Sequence, residues 1–311
     1  MGESTGQQDE VHELFTLLGN QTRMEILLTL WRELDPEAHV EGDPDALSFS
    51  ELFEQCESSD TGNFNYHLGR LQGSLLEQNG EEYALTPTGF SVLQGLATEL
   101  STGDRSIDSQ VIDDPCPFCE GRLEASYSRE ILRVDCLDCA GLTDGYVLLT
   151  RCPPSAFRDG EVRTLLDVGT LRLQIQLFVA LAGFCISCFG RTSAELEICD
   201  EHDPVEGRCA SCERRFGAIV RVRCTNCSGG GAGPALEYGM VAPNALSFFD
   251  RHDLGPATAG PWAYRLAFLE RVEEVSCESD RPRARYTVES DGDRCEFRIA
   301  ASDEDVVVGR R

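Results

Sequence analysis

Twelve side chains able to bind metal stand in six pairs along this chain, each pair separated by two residues: Cys116/Cys119, Cys136/Cys139, Cys185/Cys188, Cys199/His202, Cys209/Cys212 and Cys224/Cys227. That spacing lets one tight turn aim two ligands at a single ion. Two such turns close a tetrahedral shell with no open position, which is how structural zinc is held. Between the first two pairs, Leu123–Tyr127 and Ile131–Val134 alternate like two strands, so Cys116, Cys119, Cys136 and Cys139 form one expected site. In chain order, Cys185, Cys188, Cys199 and His202 make a second, and Cys209, Cys212, Cys224 and Cys227 a third. A ligand exchange between these last two sites fits the same spacing. The expected cofactor is zinc, two to three structural ions.

A catalytic zinc would need three protein ligands, an open position and a nearby carboxylate base. No H-E-x-x-H occurs, and His12, His39, His67 and His252 do not cluster in sequence. The expectation is a chain that is not an enzyme. Fifteen cysteines in an exported chain would suggest disulfides. Here Met1–Glu10 has no signal-peptide character and no apolar run is expected to span a membrane, so the doublets favour metal and a cytoplasmic location. Cys56, Cys152, Cys277 and Cys295 fall outside the doublets and suit buried small hydrophobes.

Charge narrows the setting further. The net charge is −27, with 54 acidic residues, and all 27 basic residues are arginine. Acid excess without lysine is what a cytoplasm at molar salt selects, because hydrated carboxylates keep proteins soluble there. The composition is that of a halophilic, haloarchaeal protein.

Ahead of the cysteines lies a helical region. Val11, Leu14, Leu17 and Leu18 form a first amphipathic helix, and Asn20-Gln21-Thr22 caps a second with Met24, Leu27, Leu28 and Trp31 inside. Asp35–Asp45 reads as an exposed insertion, and Ser48 or Ser50 starts a short third helix. Asp60 or Thr61 then caps a fourth, with Phe64, Leu68 and Leu71 as its buried stripe. Asn63, His67 and Arg70 are expected on the opposite face, flanked by Asn65 and Tyr66. Amide, imidazole and guanidinium groups on one helix face suit major-groove readout. Asn79-Gly80 marks a hairpin turn between Leu75–Gln78 and Glu81–Thr86, and a helix followed by a hairpin is the recognition helix and wing of a winged helix-turn-helix. Phe90–Leu100 closes the module.

The segments L-G-N-Q-T-R-M-E-I-L (18–27), G-N-F-N-Y-H-L (62–68) and Y-A-L-T-P-T-G (83–89) resemble haloarchaeal members of the ArsR-type winged helix-turn-helix family. The resemblance covers about the first hundred residues. It implies a DNA-binding transcriptional regulator, dimeric through the first and last helices of the module. By motif, the groove-facing residues would be Asn63, Asn65, Tyr66, His67 and Arg70, with Gln78 and Asn79 on the wing. One departure stands out: residues 1–104 hold 20 acidic side chains against Arg23, Arg32 and Arg70. At molar salt the Debye length is roughly 3 Å and counterion release drives little, so an acidic DNA-binding module is physically tenable there.

The expected domains are a winged helix over 1–104, a polar linker over 105–114, and a cysteine-rich domain over 115–311 with zinc ribbons near 115–140, 184–203 and 208–228. Val162–Ala182 reads as a long helix with Leu165, Val168, Leu171, Ile175, Phe178 and Leu181 on one stripe, suited either to core packing or to a dimer contact. Val205–Cys227 carries five arginines against two glutamates, with Phe216 among them, and could meet nucleic acid or pair internally. Ser228–Pro234 is a glycine-rich loop lacking the Lys-Ser/Thr ending of a phosphate cradle. Two helices and three strands complete a small C-terminal α/β region. Cys199–Asp203 and Cys209–Phe216 resemble the cysteine-rich domain that follows this winged helix in haloarchaeal proteins.

The fold class is therefore α+β. The favoured function is a zinc-stabilised regulator that binds double-stranded DNA as a homodimer and has no membrane contact. One alternative is a zinc-ribbon scaffold for transcription-machinery partners. Another is a metal or redox sensor.

Overall fold

The computed structural model describes residues 12–34, 46–100, 106–157, 161–227, 229–278, 282–302 and 305–309, the side chains of 98–100 and of 301 onward excepted. The expected insertion at 35–45 lies outside them, as does Val11 of the first helix. The chain is α+β with several small sheets, and it divides into two compact units, residues 1–101 and 102–311.

In the first unit, α1 (12–18) leads into α2 (Gln21–Arg32), whose first turn is capped by the Asn20 side chain accepting from the Arg23 N–H at 3.1 Å. Ser48 caps α3 (Phe49–Gln55) in a reciprocal capping box with Glu51, and Asp60 caps α4 (Thr61–Leu71). Each cap satisfies donors that the first helical turn leaves open. The core joins Leu17, Ile26, Leu27, Leu30, Leu52, Phe64, Leu68 and Leu71, with the Phe49 and Phe53 rings edge-on to Phe64. Strand β1 (Leu47–Ser48) pairs with β3 (Glu82–Leu85), which pairs with β2 (Leu76–Asn79). The hairpin turn is Gly80-Glu81, one residue later than the sequence suggested. Asn79 closes the ladder opposite Glu82, and Gly80 takes the positive φ of 67°.

Helix α5 (Pro87–Leu100) begins on Thr86, whose hydroxyl accepts from Gly89 N–H and donates to Ser74 C=O. A Cβ at Gly89 would lie 2.2 Å from the Leu75 carbonyl oxygen. Glycine lets that helix close against the residue just ahead of the hairpin.

His67 is a correction. It lies at i+3 from Phe64, on the buried stripe and not opposite it, and is 9% exposed. Its Nδ1 sits 3.3 Å from the Arg23 guanidinium, which also donates to the Thr16 and Leu17 carbonyls at 2.7 and 2.5 Å. Since guanidinium can only donate, Nδ1 accepts and the ring is neutral. Burial, and secondarily the Arg23 charge, hold the His67 pKa below the usual histidine value. A folded pKa below the unfolded one makes this stabilisation complete above about pH 6.5 and lost as pH falls through the folded value. Thermal unfolding of the N-terminal unit between pH 7.5 and 5.5 is expected to show that decline in the wild type and a flatter profile in His67→Gln. Equal slopes would contradict the assignment.

The second unit starts earlier than expected. The supposed linker at 105–114 is largely β4 (Ile107–Pro115), an edge strand of a sheet ordered β4, β5 (Arg122–Ser128), β6 (Ile131–Cys136), β7 (Tyr146–Arg151). Only Ile112 of β4 is buried, so its alternation is hidden beneath polar side chains. The long helix α6 (Val162–Leu181) buries Leu165, Leu166, Gly169, Thr170, Leu173, Gln174 and Leu177. Of the expected stripe, Leu171, Ile175 and Phe178 are instead exposed. Four leucines, Gly169 and two polar side chains serve the core instead, with Gly169 against Leu132, where a Cβ would come within 2.6 Å. By length and composition α6 could cross a membrane, but its buried face is packed within this unit.

Strands β8 (Thr192–Ile198), β9 (Pro204–Val205), β10 (Arg208–Cys209), β11 (Ala218–Cys224) and β12 (Gly230–Pro234) follow. The sheet order is β12, β11, β8, with β9 and β10 a separate pair. The glycine-rich loop is thus a strand for most of its length. A Cβ at Gly230 would strike the Val222 carbonyl at 2.3 Å, which explains glycine there. Helices α7 (Pro243–Arg251) and α8 (Pro261–Arg271) and the antiparallel sheet β13 (Val272–Glu278), β14 (Arg283–Ser290), β15 (Asp293–Ser302), β16 (Asp305–Gly309) complete the unit. Of these, β13 was not foreseen.

Candidate metal centres

Three turns of one design carry half of the paired ligands. In the turns starting at Cys116, Cys185 and Cys209, the first cysteine N–H donates to the carbonyl five residues on, and its own carbonyl accepts from the N–H four residues on. The fifth residue of each turn, Glu120, Phe189 or Glu213, takes a positive φ of 59, 53 or 62°. Backbone N–H groups point at the sulfurs: Ser187 to Cys185, Gly190 to Cys188, Asp138 to Cys136 and Asn226 to Cys224, at 3.3 to 3.4 Å. Such donors favour thiolate over thiol.

The turns converge in pairs. Cys116, Cys119, Cys136 and Cys139 form one cluster, Cys185, Cys188, Cys224 and Cys227 a second, and Cys199, His202, Cys209 and Cys212 a third, with the ligand atoms of each within 4.8 Å of one another. The sulfur separations are 3.8 and 3.5 Å in the first cluster and 3.7 and 3.5 Å in the second. A tetrahedron with metal–sulfur bonds near 2.3 Å has edges of about 3.8 Å, so the spacing suits one ion among four thiolates. It is far from the roughly 2.05 Å of a disulfide. All three clusters can therefore hold a metal ion.

The ligand sets correct the chain-order pairing and the ribbon limits 184–203 and 208–228. The last eight ligands are nested, and the β8–β11 ladder is the reason. Its register runs from Thr192 opposite Cys224 to Ile198 opposite Ala218. Cys185, Cys188, Cys224 and Cys227 gather at one end of that ladder, and Cys199, His202, Cys209 and Cys212 at the other. Seven extended residues span roughly 23 Å, so Cys188 and Cys199 cannot share an ion.

The thiol pKa values are split within the clusters, because the crowded sulfurs differ in burial and in backbone donors. Burial pushes Cys116 well up and Cys199 up to about 11. Backbone donors, first that of Asp203, bring Cys209 down to about 6, and the Gly190 N–H lowers Cys188. A divalent cation would remove that conflict by favouring the thiolate at every position.

His202 directs Nδ1 to the third cluster, 3.5 Å from Cys212 Sγ, while Nε2 lies 3.2 Å from the Arg215 carbonyl and 3.8 Å from Glu274. An Nε2–H donating to the carbonyl leaves Nδ1 with its lone pair toward the three cysteines, the usual second-sphere arrangement for a metal histidine. Glu274, on β13, also accepts from Gly217 N–H at 3.0 Å. A Cβ on Gly217 would come within 2.9 Å of the imidazole. Nothing in the sequence pairs Glu274 with a ligand 72 positions earlier.

Arg208, Arg215 and Arg221, three of the five arginines of 205–227, have partners within the fold. Arg215 donates to Gly141 C=O at 2.8 Å and lies 4.3 Å over the Phe118 ring, joining the third cluster to the first. Arg208 pairs with Glu213 and Arg221 with Glu197, and Phe216 is buried, so it offers no stacking surface.

In the N-terminal unit, Asn63, Asn65, Tyr66 and Arg70 are exposed on α4, and Asn79 is exposed at the hairpin. Gln78 is exposed as well, accepting from Gln72 at 2.8 Å and donating to Gly80 C=O at 3.0 Å, so it braces the hairpin. His67 does not join this face. Cys152 is buried, whereas Cys56, Cys277 and Cys295 are half-buried.

No curated protein and no solved structure matches the chain. A family model described as domain of unknown function DUF7347 matches residues 11–96, inside the first unit. A second, domain of unknown function DUF7351, matches residues 113–307, which takes in all three cysteine clusters and well over half of the sequence. By that match the chain belongs to the DUF7351 family.

Proposed function

We propose that the protein is a DNA-binding transcriptional regulator of a halophilic archaeon, cytoplasmic, dimeric and not an enzyme. Its N-terminal unit acts as a winged helix-turn-helix resembling the ArsR type, and its second unit is built on three structural zinc sites of the zinc-ribbon kind. The observation that carries the reading is the outer face of α4. It presents Asn63, Asn65, Tyr66 and Arg70 opposite a buried stripe and is followed at once by a two-residue hairpin. Asn can bond adenine and Arg guanine through two donors or acceptors at a time, and Tyr66 supplies a flat apolar surface. Closed four-ligand shells suit permanent zinc better than reversible metal sensing.

A specific observation favours a second reading, a scaffold for transcription-machinery proteins. Arg23 is committed to Thr16, Leu17 and His67, leaving Arg32 and Arg70 as the remaining arginines of the first unit, and Glu81 and Glu82 are exposed at the hairpin tip. Phosphate contacts would then come from amides, backbone N–H groups and bridging cations. Genome-wide immunoprecipitation of the tagged chain from its source cell separates the two. Discrete sites abolished by Asn63→Ala/Arg70→Ala are expected of the regulator. Sites unaffected by that variant, recovered only together with polymerase subunits, would favour the scaffold.

A further inference from the structure

Leu171, Ile175 and Phe178 are 45, 46 and 62% exposed on α6, while the other face of the helix, from Leu165 to Leu177, is buried in the core. With half-buried Val168 and exposed Ala182, they fall at spacings of three, four, three and four residues. That is the heptad seam of one helix packing along another. We propose that this seam is the interface of a two-fold homodimer, α6 of one chain lying antiparallel to α6 of a second copy.

Charge argues for a second copy. In a chain of net −27, residues 162–182 carry two arginines and one aspartate, a local +1. Two copies that repel through most of their surface can approach here. The seam is also complementary to itself. An antiparallel register that sets Leu171 against Ile175 places the large Phe178 against the smaller Val168, twice over by symmetry. Ile131 and Leu149, both exposed, line the same cleft as Arg172 and Gln176 of α6 and widen the apolar surface beside the seam. A lipid surface suits the helix less well. The opposite face buries Thr170 and Gln174 in protein, and anionic headgroups would repel so acidic a chain.

The inference is independent of DNA binding and is tested without DNA. Sedimentation equilibrium of the full-length, metal-loaded chain in molar potassium chloride should give a dimer. Ile175→Glu/Phe178→Glu should raise its dissociation constant at least roughly 100-fold, since it buries two charges per chain at the centre of the interface. The milder Ile175→Ala/Phe178→Ala should weaken the dimer while keeping the fold, with metal content and circular dichroism as controls. A wild-type monomer at tens of micromolar, a dimer unchanged by either variant, or a monomer that floats with anionic vesicles would each overturn it.

Discussion

Stripping the metal from this protein is expected to unfold its second unit. A structural zinc site contributes on the order of 10–16 kcal/mol in small domains, whereas the net stability of a whole domain is roughly 5–15 kcal/mol. Loss of one site is thus comparable to the full margin, in spite of the large core joining α6, α8 and the C-terminal sheet. The third cluster is the most consequential. Through Arg215 it meets Phe118 and Gly141 beside the first cluster, and through Glu274 it meets β13. Denaturing the purified chain with a chromogenic chelator present should release three zinc ions per chain. Cys209→Ser/Cys212→Ser should lower that to two and abolish the cooperative transition of the second unit. A metal-free chain that melts like the metal-loaded one would show that the clusters do not hold the fold.

The second large effect is expected at Arg265, which is fully buried on α8. Its guanidinium donates to Glu237 at 2.5 Å and to the Val147 carbonyl at 2.7 Å, tying the buried Ala235–Val241 turn and β7 to the helix. A buried pair is weak support for stability compared with a well-packed apolar substitute, but removing one partner strands a charge in the interior. That costs about 3–5 kcal/mol. Arg265→Met is therefore expected to lower the midpoint of the second unit by roughly 6–20 °C, on a scale of about 2–4 °C per kcal/mol. Glu237→Gln should do similar damage, and combining the two should cost clearly less than their sum. Additive losses would mean that the ion pair is incidental.

How much of this was legible depended on whether neighbours in sequence were also neighbours in space. The knuckles were, because a two-residue gap fixes the turn by itself, and so were the Asn20, Ser48 and Asp60 caps. Pairing of the knuckles was not. The stretch Thr192–Ile198 alternates like a strand, and recognising it would have forbidden Cys188 and Cys199 from sharing an ion. On α4 the helical period already placed His67 at i+3 from Phe64. Its polarity argued for the outside, and only Arg23, 44 residues earlier, makes its burial tolerable. On α6 the largest apolar groups were expected inside, yet the close approach of Leu132 to Gly169 turns the helix so that Leu171, Ile175 and Phe178 face out. The strand β4 was hidden by the polar side chains of an edge. Glu274, Glu237 and Arg265 carried no local signal at all.

The most direct test of the proposed function is DNA affinity in molar potassium chloride, measured on a duplex recovered from the source genome. The comparison is wild type, Asn63→Ala/Arg70→Ala and His67→Gln. Loss of a good bidentate contact costs about 1–3 kcal/mol of discrimination. The double variant should therefore lose selectivity over scrambled duplex by roughly tenfold or more. His67→Gln should keep its selectivity under conditions where it stays folded, because that ring faces the core. Equal affinity of the wild type for the recovered and scrambled duplexes would contradict a groove-reading role for α4.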